Sequence, residues 1–242
     1  MKIDGSVALV SGADRGLGRV FARELVNRGA SRVYGAARNP AAVTEPGLTP
    51  IALDITDLER VVRVARECTD VTLLVNNAGV MKTSAFIGAP SLDAARVEME
   101  TNYFGTLSMC RAFAPVLAAG GGGAIVNMLS VSSFSTGALD MSYSASKAAE
   151  LSLTNGIRME LSRQGTLVLA VHASFIDTDM AAGIDVPKIS PESVAQQTFD
   201  AVEAGEVEVL ADERSRFVKS SLPHDHELIY APMQKQFFDA PS

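Results

Sequence analysis

Short apolar runs alternate along the chain with longer stretches in which apolar residues return every three or four positions. The runs are 7–10, 32–36, 49–53, 72–75, 124–128 and 167–171, with 208–211 as a seventh candidate. They are rich in β-branched and aliphatic residues and lack an alternating polar face, so they read as strands buried on both sides. The stretches between them predict helices over about 18–28, 57–68, 92–117, 143–164 and 191–204. A strand followed by a helix, repeated, is the pattern of parallel strands joined by crossovers. The expectation is therefore an α/β fold with a doubly wound parallel sheet of about seven strands and helices on both faces.

Composition narrows the function classes. The 242 residues are 47% hydrophobic and 20% charged, enough to bury a core without disulfide or metal. No linker-like composition break divides them, so one domain spanning 1–242 is expected. Lys and Arg total 21 against 28 Asp and Glu, a net charge of −7 that argues against a nucleic-acid surface. Cys68 and Cys110 are far apart and lack metal-ligand spacing, which fits two free thiols in a reducing compartment and no metal site. The chain opens Met1-Lys2-Ile3-Asp4-Gly5 without a signal-peptide pattern, and no apolar stretch reaches the roughly 18 residues of a membrane span. A cytoplasmic protein without membrane contact is expected.

In open parallel sheets ligands bind beyond the carboxyl ends of the strands, so the residues after each run carry the chemistry. The first run leads into Ser11-Gly12-Ala13-Asp14-Arg15-Gly16-Leu17-Gly18 at a helix start. Glycines there allow a tight turn and close approach of a pyrophosphate to backbone N–H groups at a helix N-terminus. The second run ends Ala36-Ala37-Arg38, with no carboxylate to take a ribose 2′-hydroxyl. Arg38 and Arg15 instead offer two guanidinium groups to a 2′-phosphate, which selects NADP(H). Asp54, after the third run, reads either as an acceptor for the adenine amino group or as an N-cap.

The fourth run is followed by Asn76-Asn77-Ala78-Gly79, the fifth by Ser130, and Tyr143-Ser144-Ala145-Ser146-Lys147 begins thirteen residues beyond that serine. With the glycine loop, this ordered set resembles the short-chain dehydrogenase/reductase family, over nearly the whole chain. The resemblance implies a Rossmann-like fold and an NADP(H)-dependent oxidoreductase of the carbonyl reductase type. Asn102, in Thr101-Asn102-Tyr103-Phe104-Gly105, matches the family's fourth catalytic position, so the catalytic set would be Asn102, Ser130, Tyr143 and Lys147. The nucleotide would lie on Gly12, Arg15, Gly16, Leu17, Gly18, Arg38, Asp54, Ile55, Asn77, Ala78, Gly79, Tyr143, Lys147, Ile176 and Thr178. The resemblance also implies a homodimer or homotetramer formed through the helices of Asn102 and Tyr143.

Residue chemistry supports the same roles. Tyr143 and Lys147, four apart, share a helix face. A phenol ionises near pH ~10, and a neighbouring ammonium together with a cationic nicotinamide is expected to lower that value. Tyr143 then serves as acid in carbonyl reduction and as base in alcohol oxidation, while Ser130 donates a hydrogen bond to the developing oxyanion. After the sixth run, Ala173-Ser174 stands where the family usually has Pro-Gly, which predicts a reshaped pocket wall. His172 there, and His224-Asp225-His226 in the tail, read more naturally as structural and polar-loop residues than as ligands.

The expected substrate lining is Val131, Phe134, Leu139, Met141, Ser174, Phe175 and Met180, apolar and adaptable, with a substrate loop at about 175–190 and a C-terminal tail at about 215–242 packing at an interface or over the cleft. No cation adjoins Ser130 or Tyr143 in sequence to clamp an anionic substrate. Neutral ketones, aldehydes and their alcohols are the expected substrates. A 3-oxoacyl thioester (acyl-carrier-protein) reductase and a non-catalytic NADP(H)-binding regulator are the alternatives.

Overall fold

The computed structural model describes residues 1–138 and 140–239, with the backbone alone for 236–239. Its strands are β1 (Val7–Ser11), β2 (Arg32–Ala37), β3 (Leu48–Ala52), β4 (Leu73–Asn76), β5 (Gly123–Met128), β6 (Thr166–His172) and β7 (Glu208–Leu210). They form one all-parallel sheet in the order β3-β2-β1-β4-β5-β6-β7. Pro50 falls within β3, which tolerates the missing N–H because that strand sits at the sheet edge.

The helices are α1 (Gly16–Asn27), α2 (Leu58–Glu67), α3 (Asp93–Glu98), α4 (Thr106–Ala119), α5 (Met141–Glu160), α6 (Pro191–Ala204), α7 (Glu213–Ser221) and α8 (Ala231–Asp239). A π-helical stretch, Met99–Gly105, joins α3 to α4, so the single helix expected over 92–117 is widened at its middle.

Two apolar layers flank the sheet. On one face α1 and α6 pack through Phe21 and Phe199, whose rings meet edge to face at 5.6 Å. On the other, α2, α4 and α5 bury Val61, Val64, Met109, Phe113, Leu117 and Ile157 against Leu9, Leu74 and Ile125. Full burial of each such side chain contributes roughly 1.5–3 kcal/mol. A third, smaller cluster joins Val131, Val218 and Ile229, with Phe134 and Met233 against it. Through it the C-terminal segment lies over the loop after β5, and the Thr136 N–H donates to the Tyr230 hydroxyl at 3.3 Å.

The order reverses between β1 and β4, since the chain leaves β1 toward β2 and β3 and then returns to the other side. The carboxyl ends of β1 and β4 therefore bound a crevice. At its rim the turn from β1 into α1 folds back on itself, and a Cβ on Gly18 would stand 2.0 Å from the Gly12 carbonyl oxygen. Gly18→Ala is expected to cost about 1–3 kcal/mol through this overlap. A lower denaturant midpoint at unchanged slope would register it, and an unaltered midpoint would refute it.

Candidate active site

Ser11 ends β1, and its hydroxyl accepts from the N–H groups of Asn77 and Ala78, each at 3.0 Å, while Asn77 Nδ2 donates to the Ser11 carbonyl at 3.0 Å. The loop after β4 is thus stitched to the glycine turn. Gly12 has φ +69°, and a Cβ there would meet the Ala78 Cα at 3.2 Å, so the two loops touch with no room for a side chain. Arg15 is the N-cap of α1 but its side chain caps nothing, leaving the first N–H groups of the helix without a side-chain acceptor. Thr178 is brought to the same place: a Cβ on Gly16 would lie 3.6 Å from its Cγ2.

Arg15 and Arg38 are both exposed, and among the described residues neither forms an ion pair. Asp54 is not a helix cap. Its Oδ1 accepts from the Thr56 N–H at 3.0 Å and hydroxyl at 2.7 Å, while Asp57 caps α2. Leu17 and Ile55, in the expected nucleotide set, have buried side chains. Both lie in the apolar layers, and a Cβ on Gly105 would come within 2.8 Å of Ile55.

Met141–Glu160 carries Tyr143 and Lys147 on one face of α5, with Lys147 Nζ 5.8 Å from the centre of the phenol ring. Nζ is buried and donates to the Met128 carbonyl at 2.9 Å and to Glu150 Oε2 at 2.7 Å. Glu150, 2% exposed, also accepts from the Thr106 hydroxyl at 3.3 Å. Asn102 sits in the π-helical stretch, fully buried. Its Oδ1 accepts from the Val80 N–H at 2.8 Å, and Nδ2 donates to the Val80 carbonyl and the Ser146 hydroxyl, both at 2.9 Å. Ser130 is buried at the end of β5 and accepts from the Ser132 N–H at 3.1 Å.

At Tyr143 the expected pull of the Lys147 ammonium meets opposing influences. Burial raises its pKa above the usual phenol value; Lys147 pulls it down, Glu150 pushes it up, and a hydrogen bond with Ser130 lowers it. The net is upward, because the carboxylate offsets the ammonium and the phenol is desolvated. Burial works to lower Lys147, but Glu150 and Tyr143 outweigh it, so the amine stays charged.

Several supporting groups escape a reading by sequence. Glu98, completely buried one helical turn before Asn102, accepts from the Lys82 N–H at 2.6 Å and from the Ser142 hydroxyl, clipping the loop after β4 to the start of α5. Asp212, the N-cap of α7, accepts from the Ser174 N–H at 2.6 Å and hydroxyl at 3.0 Å, which fixes the Ala173-Ser174 segment without Pro-Gly. The only sequence signal for Glu150 was its spacing, three residues beyond Lys147 on the same face.

The residues expected to line the substrate side differ in exposure. Met141, Ser174 and Phe175 are half-buried and Met180 is exposed, and the loop bearing Met180 is closed at its base by a bridge between Ile176 and Ile189. Val131 and Phe134 also pack in the small cluster under the C-terminal segment. Phe134 stacks on His172 with centroids 4.1 Å apart and has Lys219 Nζ 4.6 Å from its own. Leu139 lies outside the described residues.

His172 is structural. Fully buried, it meets the Ser133 hydroxyl at 2.9 Å and the Ser130 carbonyl at 3.2 Å through Nδ1, and burial lowers its pKa to about 4. An unfolded histidine takes its proton near pH ~6.5, so the unfolded state binds more protons between that value and 4, and stability falls as pH drops through this window. The loss is expected to reach about 3 kcal/mol. Denaturant melts at pH 7 and 4.5 should show a smaller drop in His172→Gln, and equal drops would count against it.

Comparison with known proteins agrees with this geometry. Residues 6–188 match the model of the short chain dehydrogenase family. The chain is 37% identical over 199 residues to a sorbitol dehydrogenase of Cereibacter sphaeroides, covering 76% of each, and 31% identical over 195 residues to a 3-oxoacyl-(acyl-carrier-protein) reductase of Vibrio harveyi, covering 76% of this chain and 79% of that one. Among solved structures, a short chain dehydrogenase from Burkholderia cenocepacia in complex with NADP superposes with a TM-score of 0.92 at 40% identity, over 96% of this chain and 99% of that one. The chain belongs to the short-chain dehydrogenase/reductase family, NAD(P)-linked oxidoreductases that interconvert alcohols and carbonyl compounds.

Proposed function

We propose that this protein is an NADP(H)-dependent reductase of neutral, moderately hydrophobic ketones and aldehydes, working reversibly. The observation that carries the reading is the convergence of Tyr143 and Lys147, one turn apart on α5, with Ser130 at the carboxyl edge of β5. Next to it, Gly12 and Gly18 leave a cradle that side chains would fill, and the start of α1 lacks a side-chain cap. These features fit a dinucleotide pyrophosphate, and the guanidinium groups of Arg15 and Arg38, unpaired among the described residues, fit an added 2′-phosphate. The NADP complex of the Burkholderia cenocepacia relative supports the same choice.

A bound nicotinamide supplies or accepts the hydride. In reduction Tyr143 Oη gives its proton to the carbonyl oxygen as the carbon takes the hydride, and the phenolate left behind is reprotonated from solvent. Ser130 donates a hydrogen bond to that oxygen as it gains charge. Lys147 stabilises the phenolate and is placed to hold ribose hydroxyls. Asn102, with both amide hydrogens committed to Val80 and Ser146, fixes the loop that follows β4 rather than reaching the reacting atoms.

A 3-oxoacyl thioester reductase is the second reading, carried by the identity with the Vibrio harveyi enzyme. Retention of Ser130, Tyr143 and Lys147 together weighs against a regulator without turnover. We also assign the protein to the cytoplasm, in keeping with two buried, unpaired cysteines, and to a homodimer or homotetramer. The outer face of α4 and α5 suits that pairing. It has a cleft of about 500 Å³ lined by Leu107, Ala114, Leu153 and Ile157, with Phe104 and Met159 exposed nearby. Sedimentation as a monomer would refute the assembly.

Consumption of reduced nicotinamide with a panel of ketones and thioesters tests the function and separates the two substrate classes. Tyr143→Phe is expected to lower kcat about 10²- to 10⁴-fold while leaving nucleotide affinity nearly intact, and undiminished turnover would overturn the assignment. Arg38→Asp is expected to weaken NADPH roughly 10- to 100-fold relative to NADH, the value of one charge-assisted contact. Equal effects on the two nucleotides would exclude a 2′-phosphate role.

A further inference from the structure

The reaction proposed above has no use for Glu150, yet Glu150 is among the most buried charged groups in the structure. A carboxylate withdrawn from water persists only with a countercharge and hydrogen bonds. Burial raises the Glu150 pKa, and Lys147 Nζ at 2.7 Å and the Thr106 hydroxyl at 3.3 Å act against it as countercharge and hydrogen bond. The bargain is mutual, since Lys147 would otherwise be a lone ammonium held by the Met128 carbonyl alone.

The surroundings limit what else sets the charge at this point. From β5 comes the Met128 carbonyl, from the turn after it Ser130, from α4 Thr106 and the neutral thiol of Cys110, and from the π-helical stretch the committed amide of Asn102. β4 and β5 add the neutral amides of Asn76 and Asn127. α3 brings Glu98, engaged with Lys82 and Ser142, and the turn before α5 brings Asp140. β6 contributes His172, neutral above about pH 4.

We propose that Glu150 is a positioning residue of the reaction: it pins the Lys147 ammonium on the Met128 carbonyl and cancels its charge, so that Tyr143 stands as a proton donor, poised for carbonyl reduction. A bare ammonium would draw the phenol toward phenolate at lower pH. The paired one does so only when the pH is higher, which agrees with the upward push of Glu150 on Tyr143. Thermodynamic equilibrium between alcohol and carbonyl is untouched; what moves is the pH at which Tyr143 changes from donor to acceptor.

This inference rests on the proposed function, and two measurements keep the two apart. The first is the pH profile of kcat/KM for ketone reduction and alcohol oxidation in wild type, Glu150→Gln and Glu150→Asp. Removing the charge should move the alkaline limb of the reduction profile and the acidic limb of the oxidation profile to lower pH by about one unit. The shorter carboxylate should give a smaller shift of the same sign. The second needs no turnover. Tyrosinate absorbance is titrated in each full-length protein and in its Tyr143→Phe counterpart, and the difference isolates Tyr143 among the 4 tyrosines. It should show the same displacement. Absence of turnover in wild type would remove the proposed function while the titration still decides the role of Glu150. Superimposable titrations in wild type and the folded variants, or a shift to higher pH, would overturn it. If the Gln variant does not fold, an unshifted Asp variant does the same.

Discussion

All seven strands run in one direction, and that constraint delivers every strand's carboxyl end to a single edge of the sheet. Ser11, Asn76, Met128 and His172 each end a strand, and each takes part in the hydrogen bonding of that edge. An antiparallel arrangement of the same runs would have scattered these groups over two edges. Because the strand order reverses between β1 and β4, the edge opens there, and the glycine turn can approach the loop after β4 without a side chain between them.

Once the edge is built, polar groups lying below it have to be satisfied without water. Asn76 and Asn127, register partners on β4 and β5, bond each other at 2.9 Å, and Asn127 continues to the Thr154 hydroxyl at 2.9 Å. Lys147 and Glu150 extend this network under the proposed reacting centre. A network of this kind holds its members in single orientations, since a rotated amide or ammonium would strand a buried donor. The π-helical stretch belongs to the same arrangement, carrying Asn102 where its amide clamps Val80.

The substrate side is built with looser constraints. Its loop between Ile176 and Ile189 is tied down at the base and by Thr178 beside Gly16, whereas Met180 at its far side is exposed. Ala173-Ser174 holds its place through Asp212, a tether from a different helix. The C-terminal segment packs against Val131 and Phe134, beside the loop after β5.

The alternation of runs and helices was sufficient by itself to specify the parallel α/β sheet, and ordered motifs marked the glycine turn, Arg38, Ser130, Tyr143 and Lys147, because periodicity and local spacing are properties of the chain read one residue after another. Tertiary structure alone decided what each of those groups feels. No local pattern distinguishes Glu98 or Glu150 from the solvated charges common on helices, and their burial depends on α4, α5 and the loop after β4 closing around them. The upward shift of the Tyr143 phenol was out of reach for the same reason: desolvation and a carboxylate one turn beyond the lysine are sums over everything packed nearby, and sequence distance does not measure that.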